Sequence, residues 1–194
     1  MYSGKSAELV RRITLAQIAR MSVRVFRPRT DTRTAEEIVF SRNGTQVSAR
    51  VVADVREMFR HMPSEVEVVG LDEAQFFPDD LGDAVRELLA RGTRVIAAGL
   101  DLDFAGRPFG PLPNLLALAD TVDKLTAVCM KCHSLYATRT QRLVNGEPAS
   151  VDSPQVVVEH DVSETTYEAR CIGCYQPPPS PNVQPSYWSS VGVD

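Results

Sequence analysis

The chain has 194 residues, of which 43% are hydrophobic and 24% charged, with a formal net charge of −4. That length suffices for one sizeable core and a small appendage, and the composition is ordinary for a soluble globular protein. The acidic balance excludes a global basic field for nucleic acid, no apolar run approaches the roughly 20 residues that span a bilayer, and nothing reads as a secretory leader, so a cytosolic location with no membrane partner is the expectation.

The chain opens MYSGKS, where Gly4-Lys5-Ser6 is the tail of the phosphate-gripping pattern G-x-x-x-x-G-K-[ST]; its first glycine would stand ahead of Met1. Leu9, Ile13 and Ala16 or Gln17 recur at helical spacing, which predicts a helix from Lys5 to about Arg20. Val23 to Phe26 reads as a short strand stopped by Pro28, and Asp31 to Thr34 as polar loop. Ile38 to Ser41 and Val47 to Val51 flank Asn43-Gly44, a hairpin signal, and Asp54 to Arg60 suits a short helix. Val66 to Asp72 is β-branched and mostly apolar, as a central parallel strand should be. Asp79 or Asp80 can cap a helix running to Arg91, with Gly92 as its stop, and Arg94 to Gly99 is a second strand of the buried kind. Strand and helix alternate to about residue 125, which implies a doubly wound α/β core.

After Leu125 the texture changes. All four cysteines fall into two pairs, Cys129-x-x-Cys132 and Cys171-x-x-Cys174, separated by 38 residues (133 to 170) in which Gln155 to Val158 is the only clear strand. In a reducing compartment the pairs read as one closed tetrahedral zinc site, the alternative being two independent pairs of buried or redox thiols. The interval exceeds the roughly 15–20 residues of a compact zinc ribbon, which favours a staple at the base of a long loop. The expected division is 1–125 for the nucleotide-binding core, 126–175 for the zinc-anchored segment and 176–194, with its PPPSP run, for a disordered tail. His61, His133 and His160 read as surface histidines, since four cysteines already fill a zinc shell.

Chemistry concentrates at two places. Gly4 permits a backbone that turns amide N–H groups toward an anion, Lys5 supplies a cation, and the Ser6 hydroxyl suits a magnesium ligand at the start of a helix. Alone, SGKS also fits a solvated helix start. Asp72 stands where open parallel sheets place their ligands, at the carboxyl end of an apolar strand, and Glu73 follows. One acid can hold Mg²⁺ beside Ser6 while the other takes a proton from an attacking hydroxyl; a solvated strand end is the bland alternative.

Six segments in order carry a resemblance. They are YSGKSAELVRR, DTR at Asp31 to Arg33, LDEAQFF at Leu71 to Phe77, GLDLDFAGRPFG at Gly99 to Gly110, KLTAVCMKC at Lys124 to Cys132 and YEARCIGC at Tyr167 to Cys174. Together they resemble the type II, zinc-containing thymidine kinases. The resemblance implies a P-loop NTPase-like parallel sheet with a small zinc-anchored "lasso" domain, and transfer of the ATP γ-phosphoryl group to the 5′-hydroxyl of thymidine, with deoxyuridine as a possible second acceptor. It implies ATP and phosphate contacts from Ser3, Gly4, Lys5, Ser6, Asp72 and Gln75, with Mg²⁺ at Ser6 and Asp72 and Glu73 as catalytic base. Substrate contacts fall to Asp31, Arg33, Phe76, Phe104 and Tyr167, with Phe104 packing on the base and Tyr167 closing on the sugar; Arg107 could support the phosphates. Zn²⁺ at Cys129, Cys132, Cys171 and Cys174 is structural. A homo-oligomer, commonly a tetramer, and inhibition by thymidine triphosphate are also implied, and no nucleic-acid polymer is.

Two departures from the family pattern stand out. A strand and the first loop glycine precede the equivalent of Met1-Tyr2-Ser3 in the family, so the first strand is expected to be missing here. Glu159 to Glu164 replaces a glycine-containing turn, which leaves the base-reading contacts open. The competing readings are a catalytically impaired, N-terminally truncated homologue and a zinc-ribbon nucleic-acid-binding module on an α/β domain.

Overall fold

The structure is a computed structural model that describes residues 2–29, 38–40, 46–155 and 165–178. Four parallel strands form the central sheet: β1 (Val23–Pro28), β4 (Arg50–Val52), β5 (Val68–Leu71) and β6 (Arg94–Ala97), in the order β4-β1-β5-β6. Helix α1 (Lys5–Ile18) covers one face, burying Leu9, Val10, Ile13 and Ala16 against Val25 and Val68. The other face is covered by α2 (Val55–Arg60), α3 (Leu81–Ala90) and α4 (Leu112–Leu118), which pack on Phe26, Val69 and Leu71. A sheet buried on both faces explains why β5 is a continuous apolar run.

Alternation along the strands then fixes the chemistry. Val68 packs on the α1 side, Val69 and Leu71 on the other, and a Cβ at Gly70 would meet Ile13 Cδ1 at 3.0 Å. Period two therefore returns Asp72 to the α1 face, where the amino end of α1 lies. By the same count Arg27 follows Val25 onto that face.

Several expectations about local structure change on inspection. The run read as one hairpin arm, Val47 to Val51, is split. β3 (Gln46–Ser48) pairs antiparallel with β2 (Ile38–Phe40), while β4 pairs parallel with β1. Ala49, small and 2% exposed, sits at the switch between the two sheets. Asp54 caps α2 by accepting the Glu57 N–H at 2.7 Å, as its position suggests, whereas Asp80 precedes α3 without any side-chain cap. Helix α4 was hidden from the sequence by Pro111 and Pro113, which a helix tolerates around its first turn.

The cysteine-bearing segment forms a second, antiparallel sheet of β7 (Arg139–Val144), β8 (Glu147–Pro148) and β9 (Thr165–Arg170), in the order β8-β7-β9. Asn145 and Gly146 both adopt positive φ (54° and 82°), the two-residue turn that matches hairpin twist. Residues 156–158 of the strand expected at 155–158, the DTR loop and most of the tail lie outside the described residues. Among the described residues no helix is long and apolar enough to cross a membrane.

One edge of the central sheet is open. Among the described residues β6 pairs only with β5. Arg94 N–H donates to Glu67 O and Ala98 N–H to Leu71 O, both at 2.8 Å. The amides of Val95 and Ala97 therefore point the other way, into a groove of about 630 Å³. Leu9 and Arg12 of α1, Val85 and Leu89 of α3, the 119–125 segment and Ser3 and Lys5 line it.

Candidate functional site

Gly4 initiates α1 in the left-handed region (φ 83°, ψ 17°), and its carbonyl accepts the Glu8 N–H at 2.9 Å. A Cβ there would touch nothing within 4 Å, so the demand for glycine is conformational rather than spatial. The turn leaves the first N–H groups of α1 open at its positive end, beside the half-buried Lys5 and Ser6. Ser6 Oγ lies 3.3 Å from Asp72 Oδ1, donating across 66 residues of sequence. This contact joins the phosphate-type loop to the acidic strand end. The two sequence signals, each weak alone, belong to one site.

Asp72 is 3% exposed, and its pKa is pushed up to about 6, first by burial and then by the neighbouring Glu73 carboxylate. Arg27, whose Nε is 3.6 Å from Asp72 Oδ2, opposes that rise, as does the Ser6 hydroxyl. Two acids and a hydroxyl at the positive end of a helix form a donor set suited to a hard divalent cation, and Ser6 with Asp72 fits Mg²⁺.

Glu73 itself sits in the left-handed region (φ 48°, ψ 45°), a conformation that costs a non-glycine residue energy and clusters at functional sites. The strained turn carries the carboxylate off the end of β5. There Gln75 Nε2 donates to Glu73 Oε2 at 2.6 Å, while Gln75 Oε1 accepts the Leu100 N–H at 2.9 Å. Gln75, expected on the phosphates, has both ends of its amide engaged here, one by Glu73 and the other by the Leu100 N–H. Two glycines make room for it. A Cβ on Gly99 would lie 2.7 Å from Gln75 Oε1, and one on Gly110 (φ 49°) only 2.2 Å from Gln75 O. Phe76 meets Phe109 edge-to-face at 5.4 Å between centroids. The segment Gly99 to Gly110 thus packs around the turn that carries Glu73.

Phe104 is 3% exposed in this wrap. Its carbonyl accepts the Tyr175 hydroxyl at 2.7 Å, tying it to the residue after the last cysteine. Asp103 beside it accepts from the Ala105 and Arg107 amides, from Arg107 Nε and from Gln155 Nε2, all within 3.0 Å. Arg107 is accordingly turned onto Asp103. Tyr167 stands on β9, half-buried, directly opposite Arg142 of β7. Ser3 is half-buried at the loop's start. Asp31 and Arg33 lie outside the described residues.

The four cysteine sulfurs all lie within 4.8 Å of one another, with Cys132 and Cys171 3.6 Å apart and no disulfide formed. Tetrahedral zinc with Zn–S near 2.3 Å requires sulfurs about 3.8 Å apart, so the donor set fits. Burial alone would raise the Cys129 thiol, but N–H groups of Cys132, Cys171 and Lys131 aimed at it bring it down to about 6. Cys174, sharing hydrogen bonds with the Cys132 and Cys171 thiols, is pushed up to about 12. One thiolate is favoured and four are not, unless a cation joins them. His133 is exposed and outside this shell. Sequence reasoning missed Arg27, Gly99, Gly110, Arg142 and Tyr175. Only the two glycines left a signal, as the ends of the GLDLDFAGRPFG segment.

Matched against models of protein families, the chain fits over residues 1–175 the one described as Thymidine kinase.

Proposed function

The chain belongs to the thymidine kinase family, and from that premise we propose that it transfers the γ-phosphoryl group of ATP to the 5′-hydroxyl of thymidine, with deoxyuridine as a second acceptor, yielding the 5′-monophosphate for nucleotide salvage. The observation that carries the reading is the 3.3 Å contact between Ser6 Oγ and Asp72 Oδ1, with Glu73 held alongside by Gln75. Amides of the Gly4 turn and the Lys5 ammonium grip the phosphates. Ser6 and Asp72 would hold Mg²⁺, which when bound would neutralise charge on the phosphates.

Glu73 accepts the proton of the nucleoside 5′-hydroxyl as that oxygen bonds to phosphorus and the bond to the ADP oxygen breaks. The Gln75 amide, donating to Oε2, fixes the orientation of the carboxylate for that transfer. A fixed carboxylate matters here because phosphoryl transfer asks the protein mainly for aim and charge stabilisation. Phe104, on the turn that follows β6, and Tyr167, on β9, contribute the nucleoside contacts, and Tyr175 ties Phe104 to the zinc-anchored lobe. The test is direct. The zinc-loaded protein is incubated with γ-labelled ATP, Mg²⁺ and thymidine; label is expected in thymidine 5′-monophosphate. Label released only as inorganic phosphate, or not at all, removes the proposal.

A further inference from the structure

Arg142 lies at the centre of β7, in register with Tyr167 on β9, so both side chains leave the small sheet on the same face. It is 1% exposed. Its guanidinium carbon sits 3.5 Å from the centroid of the Phe104 ring, and Nη1 donates to Pro154 O at 2.7 Å. Nε and Nη2, both fully buried, have no hydrogen-bond partner. Among the described residues no carboxylate pairs with it either. Asp103, beside Phe104, is already taken up by Arg107, Gln155 and two backbone amides.

A structural arginine at such depth is ordinarily saturated, because each buried N–H without an acceptor leaves its desolvation uncompensated. Here the Nε–Nη2 edge, the edge that presents two parallel N–H groups, is the one left open. It is held in aim from two sides, by the Phe104 ring and by the Pro154 carbonyl. Its neighbours are the two aromatic residues assigned above to the nucleoside.

We propose that Arg142 is a nucleoside-recognition residue, whose Nε–H and Nη2–H donate to a carbonyl oxygen of the bound pyrimidine ring. The guanidinium covers one face of Phe104, so the base meets that ring on its other face or its edge. A pyrimidine carbonyl has two lone pairs and can accept both N–H groups. This inference rests on the thymidine reading of the same pocket.

The test is a binding measurement, independent of turnover. Dissociation constants for thymidine, 2-thiothymidine and 4-thiothymidine are measured by calorimetry on wild type and on Arg142→Met, which keeps the ring covered but removes the donors. Thymidine is expected to bind the variant roughly 10- to 100-fold more weakly, the worth of a buried charge-assisted hydrogen bond. One thio analogue, the one whose sulfur replaces the recognised oxygen, is expected to bind wild type more weakly than thymidine. That penalty disappears in the variant, the signature of coupling in a double-mutant cycle. The ATP dissociation constant, zinc content and melting temperature report whether the fold is intact. Should Arg142→Met fail to fold, Arg142→Lys replaces it, keeping the cation and losing the fork. Equal thymidine affinity in wild type and variant, or thio penalties unchanged by the substitution, overturns the proposal. Wild type that binds no thymidine overturns instead the functional reading on which it rests.

Discussion

Asp72→Asn should stabilise the metal-free protein while disabling it. Asp72 has an ordinary pKa of 3.8 and is pushed up to about 6, chiefly by burial. A folded-state pKa above the unfolded one means the folded protein binds the extra proton between these values. Stability from this group is therefore lost as pH rises from about 4 to about 6, and stays lost above. Two pKa units correspond to roughly 3 kcal/mol. The attraction of Arg27 is already inside that balance, since it is one of the influences that lower the pKa. Asparagine mimics the neutral acid and can still accept from Ser6. In zinc-loaded, magnesium-free protein at pH 8 the variant should melt about 6–12 °C above wild type, and the gap should close by pH 4. Adding Mg²⁺ should narrow the gap by favouring the wild-type carboxylate, whereas phosphoryl transfer should fall at least about 100-fold in the variant. Scanning calorimetry across pH decides it. A variant less stable than wild type at pH 8, or a difference independent of pH, would show that pairing with Arg27 outweighs burial and that the reasoning is wrong.

Gly110→Ala would bring its Cβ to 2.2 Å from Gln75 O, so a loss of about 1–3 kcal/mol in denaturant titration is expected, with reduced turnover as Gln75 shifts off Glu73. Gly4→Ala meets nothing and carries only the left-handed penalty, about 1 kcal/mol, which the same titration should resolve as smaller. Cys132→Ser should lower zinc below one ion per chain by atomic absorption and weaken thymidine affinity more than ATP affinity, because Tyr175 ties the zinc knuckle to Phe104. In hydrogen exchange, the Val95 and Ala97 amides should exchange at least about 10-fold faster than those of Val69 and Gly70, being on the open edge of β6.

The α/β core was legible because its signals are local: helical spacing in α1, the apolar run of β5, the Asp54 cap. The alliance of Ser6 with Asp72 was legible only as chemistry, since a hydroxyl and an acid 66 residues apart say nothing of distance. Period-two alternation along β5 supplies the missing geometry. What stayed hidden depends on tertiary approach. Gly110 looks like any turn glycine until Gln75 is found against it. Arg142 is indistinguishable in sequence from Arg139, three residues earlier on the same strand, yet one is buried against Phe104 and the other is half-exposed. The Asn145-Gly146 hairpin went unread in the sequence because its β8 arm is only two residues long and gives no run of alternating residues.

The most direct test of the central claim is single-turnover transfer from γ-labelled ATP to thymidine by Glu73→Gln beside wild type. With Glu73 as the proton acceptor held by Gln75, the substitution should slow transfer by about 100- to 10,000-fold, with nucleoside binding and zinc content unchanged. Transfer at the wild-type rate would show that the proton leaves by another route and that the acidic end of β5 is not where the chemistry happens.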